Sequence, residues 1–206
     1  MQDYQQQETK QFGFGAIIGP PNSGKSTLVN LLVGSKIAAV THKAQTTRFR
    51  TLGVFQHQNA QIALADTPGI FKPNRKLDRA MLKSAWSAFN RSDVVLVLLD
   101  AHKAITPILT AIEKNLADLC KTIMVAINKI DTLSSKELLP IAKMLDQRKI
   151  FNEILMISAL NGSGCDKLKD CFATYMPQGQ WMYPPEQIRD INDQLFSCEL
   201  TREQLL

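Results

Sequence analysis

The run Gly19-Pro20-Pro21-Asn22-Ser23-Gly24-Lys25-Ser26-Thr27 sets two glycines five residues apart, immediately ahead of a lysine and two hydroxyls. That spacing suits a loop whose backbone N–H groups curl inward around phosphate oxygens. Lys25 then brings a mobile positive charge to the β- and γ-phosphates, and the Ser26 hydroxyl offers a ligand to Mg²⁺. Three more polar runs follow apolar stretches. In Asp66-Thr67-Pro68-Gly69 the carboxylate can hold a water on Mg²⁺, and Gly69 leaves its N–H free to approach a γ-phosphate. In Asn128-Lys129-Ile130-Asp131 the last carboxylate can accept from the N1–H and 2-amino group of guanine, a donor pair that adenine lacks. Rejection through such unsatisfied polar groups reaches roughly 10⁴-fold. Ser158-Ala159-Leu160 is placed to offer backbone N–H to the base carbonyl. Each run alone is an ordinary loop, and their order along the chain gives them weight.

The elements between these runs must set them at one edge of a sheet. Residues 12–18 read as a buried strand, and 25–33 as a helix closed by Gly34. Residues 37–50 have no clean period and read as a loop. Residues 51–55 and 61–65 flank the polar turn Gln56-His57-Gln58-Asn59, which suits an antiparallel hairpin. Helical spacing follows over 75–90, then the continuous apolar run Val94-Val95-Leu96-Val97-Leu98-Leu99 of a central parallel strand. Thr106 and Pro107 open another helix; 122–127 and 151–157 are strands, each followed by a helix, one reaching Lys149 with Pro140 near its start and one over 165–176. Alternation of this kind predicts an α/β fold: a mostly parallel six-stranded sheet with one antiparallel edge pair and helices on both faces, with ligands at the carboxyl ends of the strands.

The expected organisation is a disordered tail over 1–11, a nucleotide domain over 12–176, a Pro/Gly-rich linker over 177–187, and a helix over 188–206 that opens a second domain. Cys120, Cys165, Cys171 and Cys198 lack metal-ligand or paired spacing, which argues against zinc or a disulfide framework. His42, His57 and His102 read as loop histidines without ligand-spaced partners. The net charge of +5 is unevenly distributed. Residues 25–92 hold eleven Lys or Arg against Asp66 and Asp78 alone, a field suited to nucleotide phosphates and to RNA or anionic lipid. Arg75, Lys76, Arg79 and Lys83 lie in it, as a solvated helix face or as a patch for RNA.

With these residues assembled the chain resembles the translation-factor class of GTPases, and more closely the Era family of P-loop NTPase G domains. The particular match is Lys43-Ala44-Gln45-Thr46-Thr47-Arg48, with Tyr183-Pro184-Pro185-Glu186-Gln187-Ile188-Arg189-Asp190. The resemblance implies GTP and GDP as ligands, with Mg²⁺ held by Ser26, Asp66 and a threonine of the first switch, Thr47 or else Thr46. It implies nucleotide contacts from Gly19, Asn22, Ser23, Gly24, Lys25, Ser26, Thr27, Asp66, Gly69, Asn128, Lys129, Asp131, Ser158, Ala159 and Leu160. Catalytic parts fall to Lys25, Thr47, Gly69 and Asn22, the last through a K⁺ ion standing where an arginine finger otherwise sits. Ile70 follows Gly69 and carries no group to orient water, so slow turnover is expected, within about a factor of ten of 10⁻⁴ to 10⁻³ per second. The family implies assistance to small ribosomal subunit assembly and 16S rRNA maturation through a KH-type domain, in a cytoplasmic monomer with peripheral contact at the inner membrane face. No Gly-x-x-Gly clamp of that domain follows Ile188. Two other readings are a GTP-sensing module with little hydrolysis and a related tRNA-modification GTPase.

Overall fold

The computed structural model describes residues 9–38, 40, 51–67, 90–103, 109–110, 112–113, 121–190, 197 and 201. Strand β1 (Gln11–Ile18) leads into helix α1 (Lys25–Val33), followed by β2 (Thr51–His57), β3 (Ala60–Asp66), β4 (Val94–Asp100) and β5 (Thr122–Asn128). Helix α2 (Ser135–Gln147), β6 (Glu153–Met156) and helix α3 (Cys165–Tyr175) complete the named elements. The six strands form one sheet in the order β2-β3-β1-β4-β5-β6. Only β2 runs antiparallel to its neighbour, so the edge hairpin and the parallel remainder match the expected α/β sheet.

Alternation along the strands builds two cores. Ile17, Leu64, Leu96, Leu98, Met124 and Ala126 face α1 and α3, where Leu28, Leu32, Leu168 and Phe172 meet them. Their sequence neighbours Ile18, Val95, Val97, Leu99, Val125 and Ile127 face the opposite layer, with Leu109, Ile112, Leu138 and Leu145. A strand apolar at every position has helices over both faces, because period-two side chains cannot otherwise all leave water.

Several boundaries differ from expectation. Gln11 belongs to β1 rather than to a tail, and Lys10 accepts a hydrogen bond from Gly179 N–H. The hairpin turn is shorter than Gln56-His57-Gln58-Asn59: pairing continues to His57↔Ala60, and Gln58 turns the chain at φ 52°. The sixth strand is confined to Glu153–Met156, and α2 ends at Gln147, with Pro140 inside it on an exposed side. Ser134 and Glu137 start that helix reciprocally: the carboxylate accepts from the Ser134 N–H at 2.9 Å and from its hydroxyl at 2.7 Å.

The largest difference concerns the expected linker. Residues 177–190 form a strap bound to the sheet domain, with Phe12 N–H donating to Pro177 O and Trp181 Nε1 to Asn59 O. Gln61, wholly buried in β3, donates to Tyr183 O at 2.8 Å and accepts from the N–H groups of Met182 and Tyr183 at 3.0 Å. Ile188 and Asp190 then bond the edge of β2, at Val54 N–H and Leu52 O. Residues 188–190 are therefore extended, not the first turn of a helix, since they satisfy an edge strand that would otherwise leave its amides to water. The expected helix over 75–89, most of the one from Thr106 and most of 191–206 lie outside the described residues, as do residues 1–8 of the tail and His42, Cys120 and Cys198.

Candidate functional site

Parallel register puts the carboxyl ends of five strands at one edge. Ile17 stands beside Asp66, Ile18 beside Val97, Asp100 beside Asn128 and Ile127 beside Met156. The turns beginning at Gly19, Thr67, Lys129 and Ile157 therefore open on the same side. Thr67 is fastened there, its hydroxyl donating to Ile17 O at 2.6 Å.

The glycine-rich loop is set by close approach. A Cβ at Gly19 would lie 2.2 Å from Leu98 O, and one at Gly24 would lie 2.3 Å from Asn128 Nδ2, so neither position takes a side chain. Gly24 has φ 97° and Asn22 φ 62°, both left-handed, which curls the loop before α1 begins at Lys25. The first N–H groups of that helix have no intrahelical acceptor and carry the positive end of its dipole. Lys25 is buried, and its Nζ donates to Gly19 O at 3.3 Å and Pro20 O at 2.8 Å. Burial pulls its pKa down from 10.5 to about 8, while the charge of Asp66 opposes the fall. The Ser23 hydroxyl is buried, and among the described residues it has no hydrogen-bond partner.

Ser26 Oγ donates to Asp66 Oδ2 at 2.8 Å, which joins the first turn of α1 to the end of β3. A hydroxyl and a buried carboxylate side by side are the oxygen donors a hard divalent cation takes. Thr27 sits in the same helical turn. Thr47, Gly69 and Ile70 lie outside the described residues, as do Lys43, Arg75, Lys76, Arg79 and Lys83 of the basic segment.

At the far side of the loop, side-chain hydrogen bonds tie the neighbouring turns together. Asn128 is 2% exposed; its Nδ2 donates to Ser23 O at 2.7 Å and its Oδ1 accepts Ala159 N–H at 2.9 Å. The amide thus braces two loops, and the Ala159 N–H meets Asn128 here. Ser158 is buried, its carbonyl accepting from Gly162 N–H, whereas Leu160 is 79% exposed at the tip of the turn. Lys129 adopts φ 67° and pairs with Asp100 at 2.6 Å; the one-turn helix Ile130–Thr132 after it carries Asp131 with its side chain exposed.

Two histidines have partners that sequence spacing did not reveal. His57 Nε2 lies 2.7 Å from Asp170 Oδ1 on α3, and His102 Nε2 lies 2.8 Å from Thr132 Oγ1 beside the Asn-Lys-x-Asp turn. Gln61 was also missed as a strap-holding residue. Its signal is a polar residue near the start of a strand, ahead of the apolar run Ile62-Ala63-Leu64-Ala65.

Residues 14–129 match a family described as 50S ribosome-binding GTPase. GTPase Era of Agrobacterium fabrum is 46% identical over 193 residues, covering 94% of this chain and 61% of its own length. GTPase Era of Brucella suis is 45% identical, with 94% and 62% covered. The chain thus spans about three fifths of the curated relatives it matches. A crystal structure of Era in complex with MgGDPNP and nucleotides 1506–1542 of 16S ribosomal RNA superposes with a TM-score of 0.90 at 37% identity, covering 95% of this chain and 67% of that one. A variant of Aquifex aeolicus Era bound to GDP and tetrafluoroaluminate gives 0.89 at 38% identity, with 94% and 66% covered.

Proposed function

The chain belongs to the Era group of the 50S ribosome-binding GTPase family, and on that premise we propose that it is a guanine-nucleotide switch that hydrolyses GTP slowly. The observation that carries this reading is convergence at one sheet edge: Asn128 fastens the glycine-rich loop to the Ser158 turn, three residues ahead of Asp131, while Ser26 meets Asp66 on the other side.

A nucleoside di- or triphosphate with Mg²⁺ fits this donor set. Gly19 and Gly24 let the loop pack tightly against Leu98 and Asn128, the buried Lys25 ammonium is held by the loop carbonyls of Gly19 and Pro20, and Ser26 and Asp66 supply the hard oxygens. Asn22, Ser23, Gly24, Lys25, Ser26 and Thr27 would hold the phosphates; Ser26, Asp66 and Thr47 would hold the metal. Held there, Mg²⁺ would supply charge neutralisation for the phosphate oxygens. Lys25 adds positive charge at the same oxygens, and desolvation makes that charge more effective than in water. Gly69 N–H is assigned to the γ-phosphate, and Asp131, with Lys129 and the 158–160 turn, to the base. Ile70 contributes no water-orienting group, which keeps turnover slow, and Asn22 is assigned to a K⁺ that supplies the missing positive charge.

The wider role we propose is assistance to small ribosomal subunit assembly and 16S rRNA maturation, by a cytoplasmic monomer with peripheral contact at the inner membrane face. The solved Era with 16S rRNA nucleotides supports the RNA part. RNA contact is assigned to the KH-type module of the resemblance rather than to residues 12–176. Among the described residues no helix is long and apolar enough to cross a membrane.

Equilibrium binding of GTP and ATP with Mg²⁺, followed by multiple-turnover phosphate release, tests the proposal. The expected outcome is a guanine preference of roughly 10⁴-fold and turnover near 10⁻⁴ to 10⁻³ per second, on the order of an unassisted switch. Equal affinity for the two nucleotides would overturn it.

A further inference from the structure

We infer that Asp100 and His102 are positioning residues for guanine selection: with Lys129 and Thr132 they close a ring of hydrogen bonds across the ends of β4 and β5 that fixes where Asp131 stands. This rests on the assignment of Asp131 to the base.

The ring follows from register and proton counting. Asp100 lies beside Asn128, so both strands stop at the same level, and each turns at once into a single 3₁₀ turn, Ala101–Lys103 and Ile130–Thr132. One carboxylate spans the two turns: Asp100 Oδ2 accepts from Lys129 Nζ at 2.6 Å, and Oδ1 accepts from His102 N–H at 3.0 Å. The Thr132 hydroxyl has a single proton, and at 2.6 Å it donates that proton to Lys129 O. Towards His102 Nε2, 2.8 Å away, the same oxygen must accept, so the imidazole carries its proton on Nε2. Either the neutral Nε2–H tautomer or the imidazolium meets that requirement.

What the ring holds is a turn that needs holding. Lys129 is left-handed at φ 67°, a backbone state that side chains other than glycine rarely adopt. Its backbone oxygen is gripped by Thr132 and its ammonium by Asp100, whose side chain is only 15% exposed. Asp131 lies inside this closed loop of contacts, with an exposed carboxylate on a helix of one turn. Two hydrogen bonds to adjacent edge atoms of a base demand a fixed carboxylate plane; one bond tolerates rotation. The ring therefore matters most for the second bond, to the 2-amino group.

Inosine diphosphate lacks that amino group, so the GDP-to-IDP affinity ratio isolates it. With Mg²⁺ present, the unaltered chain should prefer GDP by about tenfold or more, as for a hydrogen bond to a charged group. Asp100→Ala, His102→Ala and Thr132→Val should each lower the ratio at least about threefold, and Thr132→Ser should restore it. In an Asp131→Ala background, Asp100→Ala should leave the ratio unchanged, since the partner through which it acts is gone. Because the ratio compares two ligands of one variant, a general loss of folded protein cancels. If the unaltered chain discriminates and the ring variants discriminate equally well, the ring has no positioning role. If the unaltered chain binds GDP and IDP alike, the assignment of Asp131 itself is overturned.

Discussion

Asn128 Nδ2 donates to Ser23 O at 2.7 Å across 105 positions of sequence, and the same amide accepts Ala159 N–H through Oδ1 at 2.9 Å. One buried side chain thus sets the distance between the phosphate loop and the turn assigned to the base. Asn128→Ala leaves a buried carbonyl and a buried N–H without these partners, a loss of about 2 kcal/mol. Titration with a fluorescent GDP should show affinity reduced about thirtyfold, the same energy expressed as a ratio. Unchanged affinity would mean that the spacing of the two loops does not matter for binding.

Lys25 gives the site a pH dependence with a definite sign. Its pKa of about 8 means that the free protein loses this proton as pH rises through 8, whereas a bound phosphate favours the ammonium and raises the pKa. Binding above that pH must therefore take up a proton, and affinity should fall by up to about tenfold per pH unit above it. Calorimetry of GDP binding in buffers of differing ionisation enthalpy should show negligible uptake near neutrality and uptake approaching one proton well above pH 8. The free fold shows the opposite trend. A lysine whose folded pKa is lowered from 10.5 to about 8 makes stability rise with pH between those values, because the unfolded chain binds the extra proton. Lys25→Met should remove both effects.

Gln61 carries the strap. Its amide makes three hydrogen bonds with the main chain of Met182 and Tyr183 from a fully buried position. Gln61→Leu keeps similar bulk and leaves those groups without it, for an expected loss of about 2–4 kcal/mol. Thermal unfolding should register the loss, and chymotrypsin should cut near Trp181 and Tyr183 faster than in the unaltered chain. Equal protection would show that the strap is held by its bonds to Lys10, Phe12, Asn59 and β2 without Gln61.

How much of this the sequence disclosed depends on whether a signal was local. The Gly-x-x-x-x-Gly-Lys-Ser run, the unbroken Val94 to Leu99 and the Gly34 stop depend on neighbours in sequence, so the sheet and the first helix could be anticipated. The strap could not. Pro177, Gly179, Pro184 and Pro185 have the composition of a linker, and the groups that hold the strap, at Lys10, Phe12, Asn59, Gln61 and the edge of β2, all lie more than a hundred residues away. Asn128 was recognised as a site residue, but both of its partners are distant in sequence, so its bracing part was invisible. The part played by His102 is not legible in sequence because Thr132 meets its ring only when β4 and β5 stop side by side.

Asn22 stands in the curled loop with φ 62°, on its exposed side. If it helps to hold K⁺, phosphate release from GTP should be faster in KCl than in NaCl at equal ionic strength. The effect should be about tenfold or more, below the 10³ to 10⁵ of a full arginine finger, and Asn22→Ala should abolish the difference. Equal rates in the two salts would remove K⁺ from the mechanism.

The central claim is that Asp131 reads the base of a nucleotide whose phosphates lie on Lys25. Its most direct test is the nucleotide preference of Asp131→Asn, in which one acceptor oxygen becomes a donor. Equilibrium binding of GDP and xanthosine diphosphate should show preference moving to xanthosine, which presents a carbonyl in place of the 2-amino group, with the exchange worth about 10²-fold or more. A variant that still prefers GDP as strongly as the unaltered chain would contradict the claim.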